Sequence, residues 1–172
     1  MTTLYIGCGI PGSGKSTWFR DSKDNAIKYK FEVVSRDAIR FSKLREDKDS
    51  QYFDREKEVW KEYVETIQKY IDEGFDYIVA DATQLTEKSR NKLLNSLNLE
   101  NVRIVPVSFE NLLETCLQRN ELRKGDKLAY VPRSVIRRMN EQFEKPTFAE
   151  KYNYSAIIRV NEGGVAVDLP DE

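Results

Sequence analysis

The stretch Gly9-Ile10-Pro11-Gly12-Ser13-Gly14-Lys15-Ser16 decides the reading of this chain. It satisfies the pattern Gly, four residues, then Gly-Lys-Ser, in which a glycine-rich loop cradles phosphates. Its flanks are the required ones. Leu4-Tyr5-Ile6-Gly7-Cys8 reads as a buried strand, and Thr17-Trp18-Phe19-Arg20 can continue as a helix. The glycines let the backbone fold over a phosphate chain, because a residue without Cβ enters the left-handed region cheaply. The N–H groups of the loop and of the helix N-terminus then point at the anion. Residues Gly9 to Thr17 are thus the expected nucleotide-binding segment. Lys15 would reach the β- and γ-phosphates, and the Ser16 hydroxyl would hold Mg²⁺.

Outward from this loop, strand-like and helix-like stretches alternate, which predicts an α/β sheet. Phe31-Glu32-Val33-Val34 is a second strand, ending in Ser35-Arg36-Asp37, and a short helix capped by Asp37 begins at Ala38 to Phe41. Lys43 to Ser50 reads as a charged loop. From about Asp54 to Glu73, Val59, Trp60, Tyr63, Val64, Ile67, Tyr70 and Ile71 recur at helical spacing. Tyr77 to Ala80 is a third strand that finishes in Asp81, and Thr86 caps a helix to about Leu97.

Val102 to Phe109 is a fourth strand, with Pro106 placed where one ladder bond is not needed. Leu112, Leu113, Cys116 and Leu117 line the next helix. Lys124 to Val131 reads as a mobile loop. A further helix starts near Pro132 and buries Val135, Ile136, Met139 and Phe143, and Tyr154 to Val160 is a last strand. No repeat, linker or low-complexity segment interrupts residues 1–172. They are read as one domain, with 164–172 as a loose tail.

A chain of 172 residues can bury about 70% of its unfolded surface. It holds no apolar run that would span a bilayer and no signal peptide, so no membrane role is expected. Two cysteines, Cys8 and Cys116, make no framework, and the expected setting is the reducing cytoplasm. A net charge of −1 argues against coating nucleic acid along its length, but not against gripping a strand end. With no histidine in the chain, general base work falls to a carboxylate.

In open parallel sheets, ligands sit beyond the carboxyl ends of the strands. That rule gathers Gly9–Ser16, Asp37 and Asp81 at one rim. Asp81 closes an apolar run and fits the acid that supports Mg²⁺, directly or through water; the alternative is a carboxylate capping a turn at Thr83. Asp37 fits a general base, which an alcohol acceptor needs and an ionised phosphate acceptor does not; the alternative is a helix cap. Arg40, three residues on, shares its helix face and suits a phosphate on the acceptor, unless it is a surface arginine.

Arg119, Arg123, Lys124, Lys127, Arg133, Arg137 and Arg138 face only Glu121 and Asp126 in their segment. Such a helix and loop can close arginines over a triphosphate, or can be a solvated charged face. Tyr52, Phe53 and Tyr130 receive no assignment.

Gly-Ile-Pro-Gly-Ser-Gly-Lys-Ser-Thr-Trp, Ser-Arg-Asp-Ala-Ile-Arg, Asp-Ala-Thr-Gln-Leu and Gln-Arg-Asn-Glu-Leu-Arg-Lys-Gly together resemble the kinase domain of phage-type polynucleotide 5′-kinases, from Tyr5 to about Phe143. The resemblance implies a P-loop kinase fold with a parallel sheet of about five strands in the order 2-3-1-4-5, flanked by helices and carrying an arginine-bearing lid. It implies transfer of the γ-phosphate of ATP to the 5′-OH end of DNA or RNA. Lys15 and Ser16 would bind phosphates and Mg²⁺, Asp37 would be the base, and Arg40 would meet the acceptor. Arg119 and Arg123 would belong to the lid, with Arg123 acting in catalysis. If the chain is phage-encoded, the setting is the host cytoplasm.

The chain departs from that family in two ways. The phosphatase motif Asp-x-Asp-x-Thr is missing, since Asp47-Lys48-Asp49 lacks the Thr, and the loop from Lys124 to Val131 is longer than expected. Two rival readings use the same loop. One is a kinase for a small hydroxylated molecule, such as a nucleoside or an antibiotic. The other is a nucleotide-dependent switch or motor ATPase, against which stands the absence of Asn-Lys-x-Asp and Leu-Ser-Gly-Gly motifs.

Overall fold

The computed structural model describes residues 1–46, 55–127 and 129–171. In chain order the elements are β1 (Thr2–Cys8), α1 (Lys15–Asn25), β2 (Phe31–Ser35), α2 (Arg36–Glu46), α3 (Glu56–Asp72) and β3 (Tyr77–Asp81). They continue with α4 (Glu87–Asn95), β4 (Val102–Phe109), α5 (Leu113–Glu121), α6 (Arg133–Gln142), β5 (Ile157–Asn161) and β6 (Gly164–Asp168). The strands form one sheet in the order β2-β3-β1-β4-β5-β6. The first five are parallel, as the order 2-3-1-4-5 requires. This is the P-loop kinase fold.

Alternation along the strands divides the core. Leu4, Ile6, Ile78, Ala80 and Ile104 join Tyr63 and Ile67 of α3 and Leu93 and Leu94 of α4 on one face. Phe19 of α1 packs with Val79, Val107, Phe109 and Val160 on the other. Ile10 and Leu85 meet Cys116, Leu117 and Ile136 in a cluster that seats α5 and α6 beside the phosphate loop. Central strands carry near-continuous apolar runs because both faces are covered. Pro106 pairs with Ile6 of β1, while the pairing of β4 with β5 begins one residue later, at Val107.

Several local expectations need correction. The tail from Gly164 is not loose. Its Val165 and Val167 pair with Val160 and Ile158, so β6 closes an antiparallel hairpin through the two-residue turn Glu162-Gly163. Arg159 fixes that hairpin, donating to Asp168 at 2.6 Å, to Glu110 at 2.8 Å and to the Pro146 carbonyl at 2.9 Å. Lys43 to Glu46 continue α2, because Leu44 lies one turn beyond Arg40 on its buried side; residues 47–50 of that predicted loop lie outside the described residues, as do Tyr52, Phe53 and Asp54. The cap of α2 is Ser35, whose Oγ accepts the Ala38 N–H at 3.1 Å, and not Asp37. Leu112 is exposed ahead of α5 instead of lining it. In α6, Ile136 is the fully buried residue. Tyr154 is buried but precedes β5, which begins at Ile157. Thr86 does cap α4, in a reciprocal pair of hydrogen bonds with Ser89.

Candidate nucleotide and acceptor site

The loop from Gly9 to Ser16 joins β1 to α1 at the carboxyl rim. Gly12 and Gly14 hold φ of +82° and +89°, a region that side chains rarely enter. Space adds a second reason for glycine. A Cβ on Gly12 would lie 2.3 Å from the Cys116 carbonyl of α5, and one on Gly14 would lie 3.1 Å from the Arg119 guanidinium. The loop is tied down on three sides. Gly9 N–H donates to Thr83 O at 2.9 Å, the Asn111 amide donates to Ser13 O at 2.6 Å, and Arg119 Nη1 reaches Gly12 O at 3.4 Å. Ile10 and Ser13 are buried, Pro11 is half-buried and Thr17 is exposed.

Lys15 lies across the loop rather than at an exposed end. Its Nζ donates to Gly9 O at 2.8 Å and to Ile10 O at 3.1 Å. Burial lowers its pKa; Asp81 and Asp37 pull it back up, and Arg123 pushes it further down. Asp81, Asp37 and Arg123 thus all lie in electrostatic reach of Lys15. Ser16 Oγ donates to Asp81 Oδ2 at 2.8 Å. Burial raises the Asp81 pKa against the Lys15 charge and the Ser16 hydroxyl.

A hydroxyl and a carboxylate in contact at the loop end fit a hard cation. Among the described residues no cluster of three or more His, Cys, Asp or Glu could hold a metal alone. Two protein oxygens completed by phosphate and water is the usual situation of Mg²⁺.

Asp37 opens α2 with its side chain 62% exposed. Arg40 is buried, and among the described residues its guanidinium meets two acids. Nη1 bonds Asp37, Nε bonds Glu56 Oε1, and Nη2 donates to Glu56 Oε2 at 3.1 Å. Arg36 Nη2 shares that Glu56 oxygen, also at 3.1 Å. Burial would raise Glu56, but Arg40 and then Arg36 outweigh it and hold the carboxyl below its ordinary range.

Arg119 lies over the phosphate loop, and Arg123 follows α5 on an exposed turn. Arg133 and Lys124 instead pair with Glu121, at 3.5 Å and 2.8 Å. Arg137 and Arg138 are exposed on α6.

Sequence reasoning missed the uncharged residues that hold this site. Asn120, fully buried, donates to Val131 O at 2.6 Å and accepts the Val131 N–H at 3.1 Å, so it staples both ends of the Arg123 segment. Gln84 donates to Gly7 O at 2.7 Å and Ala80 O at 3.1 Å, and accepts from Tyr63 at 3.0 Å. It thereby locks the ends of β1 and β3 together. Its own carbonyl accepts from Arg90 at 3.0 Å, and Arg90 is paired in turn with Glu150 through two bonds of 2.9 Å.

A family model described as an AAA domain matches residues 4–146. The chain belongs to that family. No curated protein matches it. Among solved structures, a chain of the Pnkp1/Rnl/Hen1 RNA repair complex is 24% identical with a TM-score of 0.67, over 88% of this chain and 50% of that one. A fungal RNA kinase is 10% identical with a TM-score of 0.67, over 99% of this chain and 76% of that one. A gluconokinase from Sinorhizobium meliloti 1021 is 21% identical with a TM-score of 0.52, over 92% and 82% of the two chains. At these identities the likeness is one of fold. The chain spans half the length of the RNA repair complex chain. Family and fold make it a nucleotide-binding, kinase-like P-loop domain. No described helix is long and apolar enough to cross a membrane.

Proposed function

We propose that the chain acts as one ATP-dependent polynucleotide 5′-hydroxyl kinase domain in a reducing cytoplasm, passing the γ-phosphate of ATP to the 5′-OH end of DNA or RNA. The observation that carries the hydroxyl-kinase part of this reading is the state of Asp37; the polynucleotide part rests on Arg40 beside it. Ser35 does the capping, so the Asp37 carboxylate is left at the rim, in electrostatic reach of Lys15. A carboxylate there would repel a phosphate acceptor, whereas an alcohol acceptor needs it as a base.

In the proposed reaction Asp37 takes the hydroxyl proton as the oxygen bonds to the γ-phosphorus. The bond from that phosphorus to the bridging oxygen breaks, and ADP leaves. Lys15, Arg119 and Arg123 face the charge that grows on the transferring group, where fixed cations are most effective. Mg²⁺, held by Ser16 and Asp81, would supply further charge neutralisation on the phosphates. Arg40 orients Asp37 through Nη1. A phosphate on the acceptor that drew Nη1 away would free the carboxylate, so acceptor binding and base activation are coupled.

The test compares a nucleoside 3′-phosphate with the bare nucleoside. A charge-assisted contact is worth about 1.5–3 kcal/mol, or roughly 10- to 150-fold in specificity. Arg40→Ala should erase most of that preference while ATP affinity stays nearly constant. Equal use of both acceptors by the wild type refutes the polynucleotide reading. The second reading, a kinase for a small hydroxylated molecule, draws on the enclosed position of Arg40 and the fold shared with a gluconokinase. Adding gluconate and free nucleosides to the acceptor panel decides between them.

A further inference from the structure

Beside Asp37 the surface continues as a run of cations that the transfer chemistry does not use. Arg36 precedes Asp37 and shares Glu56 with Arg40. Its guanidinium carbon lies 5.1 Å from the centre of the Trp60 ring, and Lys92 Nζ of α4 lies 4.3 Å from the same ring. Lys92 then lines an open groove of about 630 Å³ with Lys88, Asn91, Asn95, Glu87 and Glu144. At its edge Lys151 Nζ donates to Asn95 at 3.0 Å. The two acids of the groove are engaged by backbone, Glu144 by the Glu87 N–H at 3.1 Å and Glu87 by the Lys151 N–H at 3.2 Å.

We propose that Arg36, Lys92 and Lys88, spaced by Trp60, are a track for the phosphates that follow the first nucleotide of a single-stranded acceptor. The proposal rests on the polynucleotide reading above and supplies what a small-molecule kinase has no need of, an extended path for a polyanion.

Three features support it. An aromatic ring holds a cation in place without neutralising it, so Lys92 keeps its charge available to a phosphate. Arg36 Nε is buried with no partner among the described residues, so a phosphate oxygen that reached it would satisfy a donor now left unmet. The chain as a whole carries a net charge of −1, so a strand end would be drawn to a local track and not to the surface at large.

The experiment measures binding of fluorescent 5′-hydroxyl oligonucleotides of two to eight nucleotides by anisotropy, over a range of salt, with phosphorylation of each measured in parallel. The variants are Lys88→Gln with Lys92→Gln, and, as a charge-matched control on the outer side of α3, Lys61→Gln with Lys69→Gln. Wild-type affinity should rise over the first few nucleotides and then level off. The Lys88/Lys92 variant should lose about tenfold for the longer strands. Its log–log salt slope should fall by about 1.4, at roughly 0.7 per phosphate contact on a single strand. Its loss on oligonucleotides should exceed its loss on a nucleoside 3′-phosphate. Affinity that ignores length, or a control pair that lowers the slope as much, overturns the track. Length-dependent binding through Lys88 and Lys92 without 5′ phosphorylation would keep the track and sink the kinase assignment. Phosphorylation of short acceptors without any gain from length would do the reverse.

Discussion

Replacing Asn120 by Ala tests whether the Arg123 segment works as a positioned lid. The Asn120 side chain makes two hydrogen bonds to the Val131 backbone, at 2.6 Å and 3.1 Å, and is itself fully buried. Each is worth about 0.5–1.5 kcal/mol net, and Val131 is half-buried, so water can replace part of the loss. The expected cost is about 2 kcal/mol, or roughly 30-fold in the population of the opened segment. Because α5 keeps Cys116 and Leu117 in the core, that opening should be local. Hydrogen exchange at the Val131 amide should therefore quicken by about that factor, with exchange at β1 and β4 unchanged. If Arg123 stabilises the transition state, kcat should fall in proportion to the closed fraction that is lost, while the acceptor KM moves little. Asn120→Asp, which sets a carboxylate oxygen against the Val131 carbonyl at a fully buried position, should loosen the segment at least as much as Ala. An unaltered kcat in a variant whose Val131 amide has lost its protection altogether would refute the lid argument, since the segment would then stand open without consequence for transfer.

Asp37→Asn should lower kcat by about 10²–10⁴-fold with nucleotide affinity retained; a loss below about tenfold would place the base elsewhere. Asp81→Asn should separate stability from function. Burial raises the Asp81 pKa, so a proton binds Asp81 more readily in the folded chain than in the unfolded one, and the stability this lends is lost as pH rises through the folded value. The amide should therefore raise Tm at neutral pH, with the gain fading as pH falls, while Mg²⁺-dependent transfer collapses. A Tm change that ignores pH would contradict that sign. Glu150→Ala leaves the fully buried Arg90 uncompensated and should cost about 3–5 kcal/mol, seen as a denaturation midpoint shift. A loss under about 1 kcal/mol would mean that water enters and solvates Arg90.

The sheet was legible because its strands are short apolar runs followed by chemistry-bearing residues. β1 ends in the phosphate loop, β2 in Ser35-Arg36-Asp37 and β3 in Asp81, and parallel topology then gathers all three at one rim. What the sequence hid was where polarity is satisfied. Ser35 and Asp37 are both good capping residues two positions apart, and only the folded backbone decides that Ser35 takes the N–H of Ala38. β6 was missed for a different reason. Val165-Ala166-Val167 is too short and too exposed to carry an apolar signature, and its order comes from pairing with β5 and from Arg159. The turn signal in Asn161-Glu162-Gly163-Gly164 was present, but a single edge hairpin gives little periodicity to read.

The site divides more sharply into residues proposed to do chemistry and residues that hold them. The proposed reacting groups Lys15, Ser16, Asp37, Asp81, Arg119 and Arg123 stand out in the sequence as charged and hydroxyl side chains just after strands or in one basic helical segment. Gln84 and Asn120 sit inside the motifs that were recognised, in Asp-Ala-Thr-Gln-Leu and Gln-Arg-Asn-Glu-Leu, yet an uncharged amide in a motif reads as filler. Their burial reverses that. An amide side chain taken out of water must have its donors and acceptors met, so each is tied to the backbone groups it meets. Gln84 thereby welds the strand bearing the phosphate loop to the strand bearing Asp81, and Asn120 closes the segment that carries Arg123. Arg40 is the reverse case. A guanidinium three residues past a base invites the acceptor's phosphate as its partner, but Glu56, sixteen residues later on another helix, already holds two of its nitrogens. Spacing along one helix therefore placed Arg40 correctly beside Asp37 and could not reveal the second carboxylate. Whether the acceptor must win Arg40 from Asp37 is thus a property of tertiary packing, and the nucleoside 3′-phosphate comparison measures it directly.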